Sequence, residues 1–292
     1  MDTLIYYAQN KEDVILSAFF PDMKKGFYVD VGAHHPTDDS VTKFFYEKGW
    51  RGVNIEPQQH LFKLLKRSRK GDTNLRIGIS NEPGELSLRS YESDGLSTFS
   101  KEVKKEYSKK PRENTQKYRD QKVQVDTLKN VFSKHNVSSV QFMKVDVEGF
   151  EYEVLEGNDW SKYRPEVLCI EASHIVKDWR PLFKKHQYEF VFFDGLNEYY
   201  VAKEANHRKQ LFNKTYPEIL VSKPQLSYGW SKHITKVHKQ LERVQSALDK
   251  RIEQNAHLQE QLAKTQEEVN QFRSTKFLAK ELVRRIKRKL FR

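Results

Sequence analysis

Acidic side chains and a histidine follow directly after apolar runs of the sequence, at positions that suit acid–base chemistry. The segment KVDVEG (144–149) places Asp146 and Glu148 two residues apart, and on a strand both side chains would point to the same side. His174 follows the next apolar run. A carboxylate or an imidazole can accept the proton of a hydroxyl group as it becomes a nucleophile. Asp146, Glu148 and His174 are therefore the candidate catalytic residues, although Glu148 could instead cap a helix and Asp146 could only position a cofactor.

Two earlier apolar runs end in residues that suit a nucleoside ligand. The first ends at Asp30, Gly32 and His34, and the second ends at Glu56. A glycine turn lets a ligand approach the backbone closely, but the G-x-G-x-x-G pattern of a pyrophosphate site is missing. The carboxylate of Glu56 can accept hydrogen bonds from both hydroxyls of a ribose. An adenosine ligand without pyrophosphate indicates S-adenosylmethionine, with all four residues as candidate cofactor contacts.

A metal site is the weaker interpretation of the same side chains. His34, His174, Asp146 and Glu148 are of types that bind divalent metals, but they follow no ligand spacing such as H-x-x-x-H. The single cysteine excludes an internal disulfide and a cysteine-based zinc site. We therefore predict no metal site.

The order of the apolar runs predicts the sheet that would position these residues. Helical spacing of apolar residues over 39–49 and 58–68 alternates with the early strands. The predicted strands are 27–32, 53–57, 74–80, 140–149, 167–173, 188–195 and 198–203. Such alternation favours an open, mostly parallel α/β sheet with helices on both faces, closed here by an antiparallel hairpin. In such sheets ligands bind at the carboxyl ends of the strands.

Several motifs occur in an order that resembles the FkbM family of S-adenosylmethionine-dependent O-methyltransferases. They are FYVDVGAHHPTDDSVTKFFYEKGWRGVNIEP (27–57), IGISNEPGELSLRSY (77–91), GLSTF (95–99), VDTL (125–128) and MKVDVEGFEYEVLEG (143–157). The resemblance covers about residues 4–203 and implies a Rossmann-like class I methyltransferase fold. It also implies cofactor contacts at Asp30–Gly32, Glu56, Ser80 and Asp146, and acceptor hydroxyls on sugars, glycans or natural products.

Residues 95–122 resemble an insertion over the active site. The stretch 100–122 is rich in charged residues and contains nine Lys and Arg. Two interpretations stay open at this point: a solvated, partly disordered loop, or a lid that grips the substrate.

The formal net charge of +12 is concentrated near the C-terminus. Residues 231–292 contain 16 Lys and Arg against 7 Asp and Glu, whereas the first 230 residues contain 36 against 33. Pro217, Pro224 and Gly229 predict a linker over 205–230 that follows a methyltransferase domain over 1–204. The sequence lacks a signal-like start and a run of about 18 apolar residues, which predicts a cytoplasmic protein.

Residues 231–274 have the apolar spacing of a coiled coil. Apolar residues recur at alternating steps of three and four from Ile234 to Leu248, and the register continues to Phe272 with polar residues at Arg251, Asn255 and Thr265. Arg251 and Thr265 weaken the seam, whereas Asn255 occupies an a position, where a polar residue can define register. We predict a homo-oligomer through this segment. The alternative is one long amphipathic helix that packs on its own domain.

Residues 275–292 predict a basic amphipathic helix at an anionic membrane surface. Leu278, Leu282, Ile286 and Leu290 form an apolar stripe, and residues 276–292 contain eight basic residues and Glu281. The apolar stripe disfavours nucleic-acid binding, because phosphate contacts do not need it. Docking on a partner protein is a further alternative.

Together these features predict a cytoplasmic O-methyltransferase, peripherally associated with the inner membrane, that methylates a sugar hydroxyl of a bacterial surface polysaccharide or its precursor. Two alternatives are a non-catalytic coiled-coil scaffold of a glycan-assembly complex and a methyltransferase of a small natural product. A nucleotide-sugar dehydrogenase or epimerase is disfavoured by the missing G-x-G-x-x-G.

Overall fold

The computed structural model describes residues 3–91, 94–222 and 224–290. The chain divides into two units between Ser231 and Lys232; the first contains the sheets and the second is helical. In chain order the strands and α-helices are β1 (Leu4–Tyr6), α1 (Glu12–Phe19), β2 (Phe27–Val31), α2 (Lys43–Glu47), β3 (Arg51–Ile55), α3 (Gln59–Ser68), β4 (Thr73–Leu75), β5 (Gly78–Ile79), β6 (Gly84–Tyr91), α4 (Lys101–Lys109), β7 (Tyr118–Asp126), α5 (Leu128–Lys134), β8 (Phe142–Val145), α6 (Glu151–Glu156), β9 (Val167–Glu171), α7 (Arg180–Lys185), β10 (Tyr188–Phe193), β11 (Asn197–Ala202), α8 (His207–Ser222), β12 (Gln225–Ser227) and α9 (Tyr228–Leu290).

A seven-stranded sheet in the order β10-β11-β9-β8-β2-β3-β4 forms the centre of the first unit. The five strands from β9 to β4 are parallel, whereas β11 runs antiparallel to both of its neighbours. Every residue of β8 and β9 is buried, as expected for strands that are covered on both faces, and this explains why both strands are apolar apart from Lys144 and Glu171. The mostly parallel, Rossmann-like sheet with its closing hairpin agrees with the sequence prediction.

The predicted strand 74–80 differs from the observed structure. The chain leaves the central sheet after β4, and β5 instead pairs with β7 in a three-stranded sheet of order β5-β7-β6. A Cβ on Gly78 would stand 2.7 Å from the ring of Phe99 and 2.9 Å from Val125, so only glycine fits where the two layers meet. The predicted helix 39–49 is also shorter, because only the five residues of α2 are helical.

Residues 95–122 contain α4 and the first five residues of β7, with short 3-10 turns around α4. α4 begins at a capping residue, Ser100, whose hydroxyl accepts a hydrogen bond from the amide of Val103 at 3.2 Å. Val103 and Tyr107 of α4 form a small buried cluster with Tyr91 of β6. This packing fixes the face of α4 that reaches the candidate site.

The segment 205–230, for which the sequence predicts a linker, contains α8, β12 and the first residues of α9. The ring of Phe212 in α8 stacks on that of Phe19 in α1, with centroids 4.3 Å apart. β12 pairs in parallel with β1. The segment therefore belongs to the folded first unit, because the aromatic side chain of Phe212 in α8 packs into its hydrophobic core.

α9 is one continuous helix of 63 residues, without a break between the two predicted segments 231–274 and 275–292. The sequence has no glycine or proline after Gly229 that would interrupt it. Its apolar side chains are exposed in the single chain, as Leu241 (63 %), Leu262 (69 %) and Leu282 (61 %) illustrate. The last two residues of the predicted membrane segment lie outside the described residues. Among the helices of the described ranges, none is long and apolar enough to cross a membrane.

Candidate functional site

A cavity of about 710 Å³ lies at the carboxyl ends of the parallel strands. It receives residues from the ends of β2, β3, β8 and β9, and from the segment that carries β5, α4 and the turns around it. The central parallel strands deliver their following loops to one edge, so residues far apart in sequence converge there. The volume is within the usual range of small-molecule sites, about 300–1,000 Å³.

The loop after β2 passes very close to the loop after β8. Gly32 has a positive φ of 79°, and a Cβ on this residue would stand only 1.9 Å from the carbonyl oxygen of Asp146. The amide of Gly32 donates to the carbonyl of Ile55 at 3.0 Å. Two separate constraints therefore require glycine at position 32: the positive φ of its backbone and the close approach of the loop after β8.

Asp30 and Lys144 form a buried ion pair below this turn. Asp30 is 1 % exposed; one carboxylate oxygen accepts a hydrogen bond from Thr42 at 3.0 Å, and the other lies 3.5 Å from Lys144 Nζ but accepts no hydrogen bond. Lys144 Nζ donates to the carbonyl of Gly32 at 2.8 Å and lies 3.2 Å from Asp146 Oδ2. Burial lowers the pKa of Lys144, but the carboxylates of Asp146 and Asp30 outweigh it and the net shift is upward. Lys144 thus remains charged and links both loops.

Glu56 follows β3 and fixes the neighbouring turns. It is 3 % exposed, and its two oxygens accept hydrogen bonds from the amides of His34 at 2.9 Å and Gln58 at 2.8 Å. Burial raises the pKa of Glu56 to about 7, although these amides and the charge of Lys144 oppose the rise. Each carboxylate oxygen keeps a further lone pair for a ligand hydroxyl.

Three carboxylates meet beyond the ends of β8 and β9. One oxygen from each of Asp146, Glu148 and Glu171 lies within 4.8 Å of the others. Burial and then the charge of Asp146 raise the pKa of Glu148 to about 8 and the pKa of Glu171 to about 11. The cluster is thus short of positive charge.

The geometry around Glu148 differs from the predicted strand face. β8 ends at Val145, so the two carboxylates that the sequence places on one strand face lie on a loop. Glu148 has a left-handed φ of 55°, and its carbonyl accepts a hydrogen bond from Thr98 at 2.7 Å. The start of α6 has no side-chain cap, so the structure does not give Glu148 the helix-capping role. Glu151, the first residue of α6, accepts hydrogen bonds from the amides of Val147 and Gly149 in the preceding loop.

His174 lies beside this cluster and pairs with Tyr107 of α4. The hydroxyl of Tyr107 is 3.0 Å from His174 Nε2, and Glu148 Oε2 is 3.8 Å from the same nitrogen. Burial lowers the pKa of His174 and raises the pKa of Tyr107 to about 12. At neutral pH the imidazole is therefore uncharged and able to accept a proton, while the phenol keeps its own.

The structure brings together all but one of the sequence-predicted site residues. Seven of them line the cavity: Asp30, Gly32, His34, Glu56, Asp146, Glu148 and His174. Ser80 does not; its hydroxyl donates to Asn81 at 3.2 Å and its amide to Asp126 at 2.9 Å. Gly78 and Ile79 of β5 line the cavity in its place.

Four further charged or hydroxyl-bearing side chains line the cavity that the sequence did not predict there: Lys144, Glu171, Tyr107 and Arg112. Lys144 and Glu171 lie at strand ends, where a search for buried charges could have found them. Tyr107 and Arg112 belong to the 95–122 segment. No spacing in the sequence links them to the strand ends, because only the fold of that segment carries them to the cavity.

A family model described as "Methyltransferase FkbM domain" matches residues 30–190. The match covers more than half of the 292 residues. The chain belongs to the FkbM methyltransferase family. FkbM methyltransferases generally use S-adenosylmethionine. The matched span includes the ends of β2, β3, β8 and β9, so most of the cavity lies within the FkbM domain. No curated protein is significantly similar to the chain.

Proposed function

We propose that the cavity binds S-adenosylmethionine and that the protein is an O-methyltransferase. The residues present fit this ligand. The turn at Gly32 is free of a side chain, an oxygen of Asp30 accepts no hydrogen bond, and Glu56 keeps lone pairs for hydroxyls. Asp30, the Gly32 turn and Glu56 would hold the cofactor, with His34 beside them.

The chemistry of the remaining residues suits methylation of a hydroxyl. Bound S-adenosylmethionine supplies a methyl group that is activated by a sulfonium. The protein must then hold the acceptor hydroxyl and remove its proton. His174 is neutral, half-buried and within reach of Glu148 and Tyr107, so it is the proposed general base. Asp146 and Glu148 would orient the hydroxyl, and such acid–base assistance contributes about 10²–10⁴-fold in rate.

One observation carries the proposal: the proton-accepting groups and the cofactor-binding groups open into the same cavity. A non-catalytic scaffold would not need buried, unpaired carboxylates, which destabilise a fold that makes no use of them. The proposed acceptor is a sugar hydroxyl of a bacterial surface polysaccharide or its precursor. Polar side chains at the cavity, among them Arg112, Asn114 and Ser173, suit a ligand with many hydroxyls.

α9 supports a second part of the proposal, which concerns the place of action. We propose that residues 231–274 join copies of this chain in a coiled coil and that residues 275–292 lie on an anionic membrane. The exposed apolar positions from Ile234 to Val269 follow the heptad spacing. Between 275 and 290 the exposed stripe is flanked by basic residues. Several such helices in one oligomer would act at the inner face of the membrane with higher avidity than one.

Methyl transfer to glycan provides the test of this function. The purified protein is incubated with S-adenosylmethionine that carries a labelled methyl group and with surface glycan from cells that lack the protein. We expect one added methyl group in glycan fragments by mass spectrometry, and none with Asp146→Asn. Label in the glycan that persists in Asp146→Asn would contradict the site. If no glycan is methylated, the result favours the alternative function, a non-catalytic coiled-coil scaffold. The 63-residue helix α9 is the observation that supports this alternative.

A further inference from the structure

We propose that Asp146, Glu148 and Glu171 form a binding site for one divalent metal ion. The three residues come from two strand ends, Asp146 and Glu148 after β8 and Glu171 at the end of β9. One oxygen of each lies within 4.8 Å of the others. Hard divalent cations hold oxygen ligands at about 2.0–2.6 Å, so ligands on opposite sides of one ion are about 4–5 Å apart. One ion between the three carboxylates therefore needs only small movements.

Glu171 gives an independent indication of a missing ligand. It is only 8 % exposed, and it lines the cavity. Its Oε1 accepts a hydrogen bond from Ser173 at 2.8 Å, but its buried Oε2 has no hydrogen-bond partner. A buried carboxylate oxygen without a donor is costly. Ligation of a cation would satisfy it.

The excess of acidic over basic side chains in the cavity also favours the binding of a cation. Seven carboxylate residues line it, and Lys144 and Arg112 are its only Lys or Arg residues among the described ranges. Lys144 faces Asp146 and Asp30 from the side of the β2 turn. The nitrogen group near Glu148 is the imidazole of His174, whose Nε2 lies 3.8 Å from Glu148 Oε2. Two of the three carboxylates thus have no ammonium or guanidinium within ion-pair distance in the described part of the chain.

The donor set identifies the class of metal. Three carboxylates favour Mg²⁺, Mn²⁺ or Ca²⁺ over the softer metals that thiolate ligands select. This proposal departs from the sequence-based expectation of no metal site. The sequence showed no ligand spacing because Glu171 lies 23 residues after Glu148, and the two meet only through the pairing of β8 with β9.

An ion bound by three protein oxygens keeps open positions for water or for a substrate hydroxyl. A hydroxyl bound there loses its proton more readily, because the charge of the ion stabilises the alkoxide. The proton would pass to His174, while the hydroxyl oxygen forms the new bond to the methyl carbon as the methyl–sulfur bond breaks. This role rests on the proposed O-methylation, whereas the binding of the ion does not.

Titration of the full-length protein with Mn²⁺ tests the site without S-adenosylmethionine. The free Mn²⁺ signal in electron paramagnetic resonance spectra reports binding directly. Loss of even an outer-shell partner weakens metal sites by about 10–100-fold, so we expect at least tenfold weaker binding in Glu171→Gln and in Glu148→Gln. Glu189→Gln is the matched control, since Glu189 is a strand glutamate of the same sheet whose side chain is 57 % exposed. It should bind as the natural protein does.

Two results would overturn the metal site. One is the absence of saturable Mn²⁺ binding by the natural protein at millimolar concentration, and the other is unchanged binding in both cluster variants. Glutamine keeps the size of the glutamate side chain, and thermal unfolding with EDTA shows whether each variant is folded. Because the titration contains no S-adenosylmethionine, failure of the metal site leaves cofactor binding intact, and failure of cofactor binding leaves the Mn²⁺ result unaffected.

Discussion

A Cβ atom on Gly32 would lie only 1.9 Å from the carbonyl oxygen of Asp146. This close approach connects the turn that would hold the cofactor with the loop that carries Asp146 and Glu148. The positive φ of Gly32 adds a second restriction, so any side chain at this position must move one loop away from the other.

We therefore expect Gly32→Ala to disturb both halves of the site. The steric overlap and the strained backbone should lower the free energy of unfolding by about 1–3 kcal/mol and abolish S-adenosylmethionine binding. Gly84→Ala is the matched control, because a Cβ on Gly84 has nothing within 4 Å. Equal cofactor binding by the two variants, measured calorimetrically, would contradict the tight junction.

The pairing of Tyr107 with His174 predicts a pH profile. Burial lowers the pKa of His174, so the base is protonated only in acid and kcat should rise with pH through a value below 6.5 and level off near neutrality. His174→Gln should lower kcat by about 10²–10⁴-fold and remove this rise.

Tyr107→Phe tests the same pair more gently. Loss of one hydrogen bond to the imidazole should lower kcat by about 2–10-fold and shift the acidic limb of the profile. Tyr118→Phe serves as the control, because Tyr118 is 53 % exposed and does not line the cavity. A profile of Tyr107→Phe that coincides with that of the control would show that the pair has no role in proton transfer.

The strand ends, the glycine turn and the closing hairpin could be predicted from the sequence, because each leaves a local pattern. The short apolar run of β2 contains Asp30 and leads to Gly32, and the run FMKV of β8 leads to Asp146. Tyr107 and Arg112 could not be assigned in this way, since only the fold of the 95–122 segment brings them to the cavity. The packing of the segment 205–230 could not be predicted for a related reason: the partner of Phe212 in α8 is Phe19 of α1, which is distant in sequence.

The carboxylate cluster predicts how stability depends on pH. The pKa of Glu171 is raised to about 11 in the folded protein, so folding favours its protonated form. This contribution to stability is fully present below the pKa that Glu171 has in the unfolded protein. It is lost as the pH rises toward the pKa that Glu171 has in the folded protein. In EDTA, the free energy of unfolding should fall between pH 6 and pH 9.

Glu171→Gln should reduce this loss, because the amide cannot ionise. At pH 9 and without metal, we expect the variant to be more stable than the natural protein by about 1–3 kcal/mol. Urea titrations at both pH values measure the difference. Glu171→Gln could instead be less stable than the natural protein by the same amount at pH 9 and at pH 6. That result would show that repulsion between the three carboxylates does not control stability here.

The exposed heptad positions of α9 predict self-association. Leu248→Asp places a charge in the proposed seam and should convert an oligomer to a monomer of 34.7 kDa. Ser246→Asp, two residues away and outside the a and d positions, should leave the mass unchanged. Light scattering on the full-length protein separates these outcomes. A natural protein that is already monomeric at micromolar concentration would refute the coiled coil.

The end of α9 predicts binding to anionic membranes. Each basic residue near such a surface contributes about 1 kcal/mol, and the apolar stripe adds burial in the interface. Full-length protein should float with anionic vesicles and lose this binding in Leu282→Asp. Glu281→Gln, which removes a negative charge beside the stripe, should float at least as well as the natural protein. Flotation of Leu282→Asp equal to that of the natural protein would rule out the interfacial helix.

Calorimetric titration with S-adenosylmethionine tests the central claim most directly. We predict saturable binding by the natural protein and about 10–100-fold weaker binding in Glu56→Gln, since a hydrogen bond to a charged acceptor is lost. Glu47→Gln, which alters an exposed glutamate at the end of α2, should bind as the natural protein does. Absence of binding by the natural protein, or equal affinity in Glu56→Gln, would contradict the assignment of this cavity as the cofactor site.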